Sequence, residues 1–296
     1  MKLFKEMDKG ILTDSDIKQP KYKALYAFLF AFLVVDTIFV MMPVLWVLLS
    51  GFKDVKEMYQ VPSTFFPKHF SLSKLGAVWT ELKFYRFYAA TFVMAGGSVA
   101  ADILVCGLAG YSLSKLKPKG TKIILAVLFW LMLLPGSMRT VPLYMEFKKF
   151  PVFGFSILNT YWPMWLMAAA NIFDIILFKN FFDGISQALV EAAKIDGASD
   201  MKIFCRIMIP LSLPIFMTVG VLTFNSNMSQ FLWPYITITE EKLTVLGVAL
   251  YKLKNSNITM DKQMLAFLFT IVPQVTVFVI FQKYIMGGVN VGGVKG

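Results

Sequence analysis

The chain has 296 residues, of which 57% are hydrophobic and 16% aromatic, with a mean hydropathy of +0.65. This is too apolar for a soluble domain of that length and defines a membrane protein. The net charge of +11, from 29 basic and 18 acidic residues, fits basic loops on the cytoplasmic side facing anionic lipid; the basic residues are scattered among loops, which argues against nucleic acid as a partner.

Residues 1–21 are polar and lack the apolar core of a signal peptide, so they are expected to remain as a cytoplasmic N-terminal segment. An all-α polytopic protein with six transmembrane helices within 22–286 is expected from the apolar runs that follow. The first, about Tyr22 to Gly51, contains Asp36 and is longer than a bilayer core requires. A mixed loop from Phe52 to Arg86 follows, with the lone histidine, His69, to which no chemistry is assigned. The second span, Phe87 to Leu113, carries Gly96, Gly97, Asp102 and Gly107, small residues that permit close helix contact. Lys115, Lys117, Lys119 and Lys122 come next with no acid among them, and place this loop in the cytoplasm.

The third span, Ile123 to about Pro142, is interrupted near its end by Pro135-Gly136. The fourth runs from Ile157 to Phe178, with Asn171 and Asp174 deep within it. A polar stretch from Lys179 to Pro210 separates it from the fifth, Leu211 to Trp233, whose second half concentrates Asn225, Ser226, Asn227, Ser229 and Gln230. An outer loop, 234–262, leads to the sixth, Met264 to Ile285, and a glycine-rich cytoplasmic tail occupies 287–296. Counting outward from the lysine loop puts both termini and the 179–210 loop in the cytoplasm. Cys106 and Cys205 lie far apart and suggest neither a disulfide framework nor a zinc site.

Within 179–210, Glu191 to Ile195 favours a helix, Asp196-Gly197 breaks it, and Asp200 is placed to cap a second short helix through Arg206. Two short helices at an angle form a knob. Ala192, Ala193 and Ala198 keep its bulk low, while Glu191, Lys194 and Asp200 offer charge at its rim; spacing alone is equally compatible with an amphipathic interfacial loop. The order Glu191-Ala192-Ala193, then Gly197, then Ile207 and Pro210 resembles the cytoplasmic signature of binding-protein-dependent ABC importer permeases, with Ile209 standing where that pattern has Leu. Further stretches are similar to the MalG-like subunit of carbohydrate importers: Pro142-Leu143-Tyr144, Asn159-Thr160, Phe181-Phe182, Ile195-Asp196-Gly197-Ala198, Trp233-Pro234 and the closing Gly-Gly-Val-Lys-Gly.

The resemblance implies that the knob is a coupling helix seated in a cleft of an ATPase subunit, with Glu191, Ala192, Ala193, Asp196, Gly197, Ala198, Ile207 and Pro210 as its signature positions. It further implies that the tail, with Gly292, Gly293 and Lys295, reaches between two ATPases, and that the 243–247 region of the outer loop enters the cleft of a solute-binding protein. A second permease would complete a heterodimer in a bacterial inner or plasma membrane. The sequence contains no phosphate-binding loop of the form Gly-x4-Gly-Lys-Ser/Thr, so this chain is not expected to be an enzyme or to hold a cofactor; ATP and magnesium are expected in the partner ATPase.

For a neutral sugar, Asn225, Asn227 and Gln230 are the residue types that would line the path. Asp36, Asp102 and Asp174 are costly inside a membrane, and hydrogen bonding to neighbouring helices competes with a transport role for each. Two alternatives remain open at this level: an importer of polyamine, amino acid or peptide, and an ion-coupled carrier using those carboxyls.

Overall fold

The computed structural model describes residues 20–290 apart from 63, 152 and 153. Most of the 1–21 segment, and Gly292, Gly293 and Lys295 of the tail, lie outside the described residues. Every regular element among the described residues is helical. Four helices are long and apolar enough to cross a membrane, Tyr22–Ser50, Phe84–Leu116, Trp162–Asp183 and Met260–Lys283. Two bent pairs raise the number to six if each pair is one span.

The chain divides into two units. The first holds α1 (Pro20–Ser50), a short helix α2 (Val55–Met58) and the segment Met260–Leu265. α1 is apolar on all sides and nearly all of it is exposed, including Asp36. A helix hydrophobic all round is stable only where something apolar surrounds it. The loop after it is tied down by polar contacts. Lys53 Nζ donates to the carbonyl of Thr64 and stands 4.2 Å from the centre of the Trp46 ring. The Glu57 carboxylate accepts from the Thr64 hydroxyl at 2.6 Å and from the Lys68 amide at 3.1 Å.

The second unit is organised around α3 (Phe84–Tyr111), packed against α6 (Trp162–Ala169), α7 (Ile172–Asp183) and α10 (Leu213–Met228), with α4 (Thr121–Met132) and α5 (Thr140–Lys148) between them in sequence and α8 (Gln187–Ile195) and α9 (Asp200–Ile203) preceding α10. At about 1.5 Å per residue, α3 spans about 42 Å, more than a hydrocarbon core of about 30 Å. Glycines let its neighbours approach closely. A Cβ on Gly110 would lie 2.6 Å from Phe178 Cβ and 2.9 Å from Lys179 N, and one on Gly97 would lie 2.3 Å from the Trp165 indole, whose Nε1 donates to Met94 O at 3.0 Å. Gly107 faces Phe216, with 3.2 Å between such a Cβ and that ring, whereas Gly96 meets nothing within 4 Å and serves no helix contact among the described residues.

Two expected spans bend sharply and a third is interrupted by a short turn. α4 and the Gly136–Lys148 segment meet at 99°, the break falling at the expected Pro135-Gly136; α5 then continues past Pro142, where the span was expected to end, because proline is tolerated in a first turn. The fourth span starts at Trp162 rather than Ile157 and is interrupted at Ala170-Asn171, where the Asn171 side chain accepts from Phe173 N at 3.1 Å and so caps α7. Asp200–Leu211 and Leu213–Met228 meet at 83° at Ser212, with Pro210 and Pro214 flanking the bend.

Candidate functional site

α8 buries one face and exposes the other. Val190 is 0% and Ala193 8% exposed, while Glu191, Ala192, Lys194, Asp196 and Gly197 are exposed and Ile195 is 87% exposed. The helix ends in a Schellman motif: Ala198 N donates to Ala193 O at 2.9 Å and Gly197 N to Lys194 O at 3.0 Å, with Gly197 at φ +76°. Only glycine takes that left-handed conformation without cost, and the turn it makes sets the angle between α8 and α9. The cap of α9 is Ser199, whose Oγ accepts from Lys202 N; Asp200, expected in that role, is instead the first helical residue and pairs with Lys194 at 2.9 Å. Both members of that pair are about half exposed, which limits its worth to about 1 kcal/mol. Ala193 likewise faces inward, not toward a partner.

The base of the knob is part of a larger core. Val190, Ala193, Ile203, Phe204 and Met208 cluster with Cys106 and Tyr111 of α3, Phe178 and Phe182 of α7, and Ile215, Phe216 and Val219 of α10; Ala198, Ile207 and Ile209 pack against it half-buried. Pro210 is exposed at the foot of the bend. A second brace comes from the lysine loop. Lys115 is buried, and its Nζ donates to Ile185 O at 2.5 Å; the Ser114 hydroxyl donates to Asp183 Oδ1 at 2.6 Å. Charge counting treats Lys115 only as an orientation marker, and nothing in its sequence neighbourhood signals the brace. The bare tip at Ile195 was equally hidden, because an apolar residue in an amphipathic helix reads as core.

A cavity of about 320 Å³ lies between α6, α7 and α10, lined by Met164, Met167, Ala168, Asn171, Phe173, Asp174, Leu222, Thr223, Ser226, Asn227 and Gln230. Asn227 and Gln230 thus reach it, and Asn225 is not among its lining residues. Asn227 Oδ1 accepts from Ser98 at 2.9 Å, and its Nδ2 donates to Thr223 O at 2.9 Å. Asp102, 0% exposed on α3, and Asp174, 3% exposed on α7, are neighbours. Thr223 donates to Asp102, and Asn171 donates to Asp174. Two acids far apart in sequence therefore meet at one junction of α3, α7 and α10, which their burial cost alone could not have indicated.

Residues 103–290 match the family described as binding-protein-dependent transport system inner membrane component, and the chain belongs to that family. Among curated relatives, the probable ABC transporter permease protein YurM of Bacillus subtilis (strain 168) is 28% identical over 280 residues, covering 92% of this chain and 88% of that protein. The diacetylchitobiose uptake system permease protein NgcG of Streptomyces coelicolor is 27% identical, with 88% and 86% covered, and the arabinooligosaccharides transport system permease protein AraQ of Halalkalibacterium halodurans 26%, with 90% and 94% covered. In fold, the chain is similar to a chain of a bacterial ABC transporter involved in the import of the acidic polysaccharide alginate, with a TM-score of 0.76, 23% identity, and 93% and 99% of the two chains covered.

Proposed function

We propose that this chain is the transmembrane permease subunit of an ATP-driven importer that moves a sugar or oligosaccharide into the cytoplasm by alternating access. The observation that carries this reading is the knob: a base locked into the core that joins α3, α7 and α10, and a tip that leaves Ile195 bare. A large apolar side chain left bare at the end of a polar protrusion is a contact that a protein partner would cover. The cargo class rests on the names of the relatives, permeases of diacetylchitobiose and arabinooligosaccharide systems.

In this account the knob, Glu191 to Ser199, seats in a cleft of an ATPase subunit that holds ATP and magnesium. Closure of two such subunits displaces the knob, and because its base shares side-chain packing with the ends of α7 and α10, those helices turn with it. The chain pairs with a second permease, takes cargo from a solute-binding protein on the outer side, and keeps both termini in the cytoplasm. The tail with Gly292, Gly293 and Lys295 is assigned to the ATPases, and the cavity reached by Asn227 and Gln230 to the substrate path.

Replacing Ile195 with Asp tests the reading. The side chain is bare, so the chain should insert and fold as before, while the ATPase subunit ceases to co-purify with it. Undiminished co-purification overturns the assignment of the knob.

A further inference from the structure

The cavity between α6, α7 and α10 has a chemical bias in its walls. Its lining residues include no lysine, arginine or histidine, and the one ionisable group among them is Asp174. Asp102 is its buried neighbour, so that wall holds an acid pair sharing its charge, with no cation among the lining residues. The remaining polar groups are neutral: Asn171, Thr223, Ser226, Asn227 and Gln230. Of these, Ser226 and Gln230 make no side-chain hydrogen bond among the described residues and stand ready for a ligand; Phe173, more than half exposed, adds an aromatic ring. The volume falls at the small end of the range of about 300–1,000 Å³ typical of small-molecule sites, which suits one sugar ring and its water.

An anionic group brought here would lose hydration, find no counter-charge among the lining residues and face the Asp174 carboxyl with its acidic neighbour Asp102. A hydroxyl loses far less, since amides, hydroxyls and carboxyl oxygens all pair with it. We infer that this cavity is a selective subsite for an uncharged polyhydroxyl unit and that Asp174, with its neighbour Asp102, excludes acidic sugars such as uronates and sugar phosphates. This rests on the importer reading and adds the charge class of the cargo. The likeness to a chain of an alginate importer, at 23% identity, concerns the fold alone.

The test uses two probes that differ by one carboxylate, methyl β-glucoside and methyl β-glucuronoside, offered to the complete membrane complex purified through this chain, with binding read by saturation-transfer NMR. The wild-type complex should transfer saturation to the glucoside and bind the glucuronoside at least about 100-fold more weakly. Gln230→Leu should abolish the glucoside signal, and Ser226→Lys, which places a cation opposite Asp174, should let the glucuronoside in. Equal binding of both probes by the wild type overturns the charge selection. A glucoside signal untouched by Gln230→Leu, or no signal from either probe in a preparation that retains its ATPase, overturns the cavity as a sugar subsite. The importer reading fails by a separate route, the absence of any ATPase from the same preparation.

Discussion

Gly197 separates two ways in which a substitution can harm the knob. A Cβ added there meets nothing within 4 Å, yet the residue sits at φ +76°. The cost of substitution is therefore conformational rather than steric: about 1–2 kcal/mol for an ordinary L-residue held in the left-handed region, less for Asn, whose short polar side chain tolerates it, and most for a β-branched residue. The Gly197→Asn, Gly197→Ala and Gly197→Val series should rank in that order of increasing damage even though Asn is larger than Ala. A loss of about 1.4 kcal/mol raises the locally opened population about tenfold. Opening breaks the bonds from Gly197 N and Ala198 N that close α8, exposing the backbone at Lys194. The assay is the rate of trypsin cleavage at Lys194 in inverted vesicles, with membrane insertion measured alongside. Cleavage rates that follow side-chain volume, with Asn worse than Ala, refute the reasoning.

Gly110→Ala should force α3 and α7 apart, because the new Cβ meets Phe178 Cβ at 2.6 Å and backbone at 2.9 Å; a loss of about 1–3 kcal/mol in thermal unfolding of the purified protein is expected, and Gly96→Ala serves as the silent control. Asn159 at φ +58° accepts through Oδ1 from Thr239 N at 2.7 Å and from the Thr239 hydroxyl at 2.8 Å, so Asn159→Gly, which keeps the backbone but removes the acceptor, should speed amide exchange at Thr239 about tenfold or more; unchanged exchange counts against the latch. Donation from the Thr64 hydroxyl, opposed by partial burial and aided by the Lys68 amide and the nearby Lys53 and Lys68 charges, holds the Glu57 carboxyl below its ordinary value of 4.5. A depressed acid stabilises its fold above its unfolded value and loses that contribution as pH falls through the folded one. Amide exchange over 53–68 should accordingly rise on acidification from just below 4.5 downward, and Glu57→Gln should flatten that dependence.

The apolar runs made the helical class and the approximate limits of the long helices legible, because twenty-odd apolar residues admit few other readings. The break at Pro135-Gly136 and the turn at Gly197 were equally readable, since those residues act on the backbone itself. Side-chain competition was not: Asn171 caps α7 inside what hydropathy treats as one span, and Ser199 takes the cap from Asp200 because its hydroxyl reaches Lys202 N. The knob's sequence does not tell inner from outer face, so Ala193, expected at the surface, turns out to be buried while Ile195 is bare. The meeting of Asp102 with Asp174 and the reach of Lys115 to Ile185 join residues about 70 positions apart, and no local pattern encodes such pairs.

What covers the tip of α8 decides whether the knob is a coupling surface. In a Cys205→Ala background, Ile195→Cys labelled with a photoactivatable maleimide and irradiated in inside-out vesicles from cells making the whole transporter should yield one adduct, with the ATPase subunit. Adducts confined to lipid, or labelling that occurs only from the opposite face of the membrane, would contradict it.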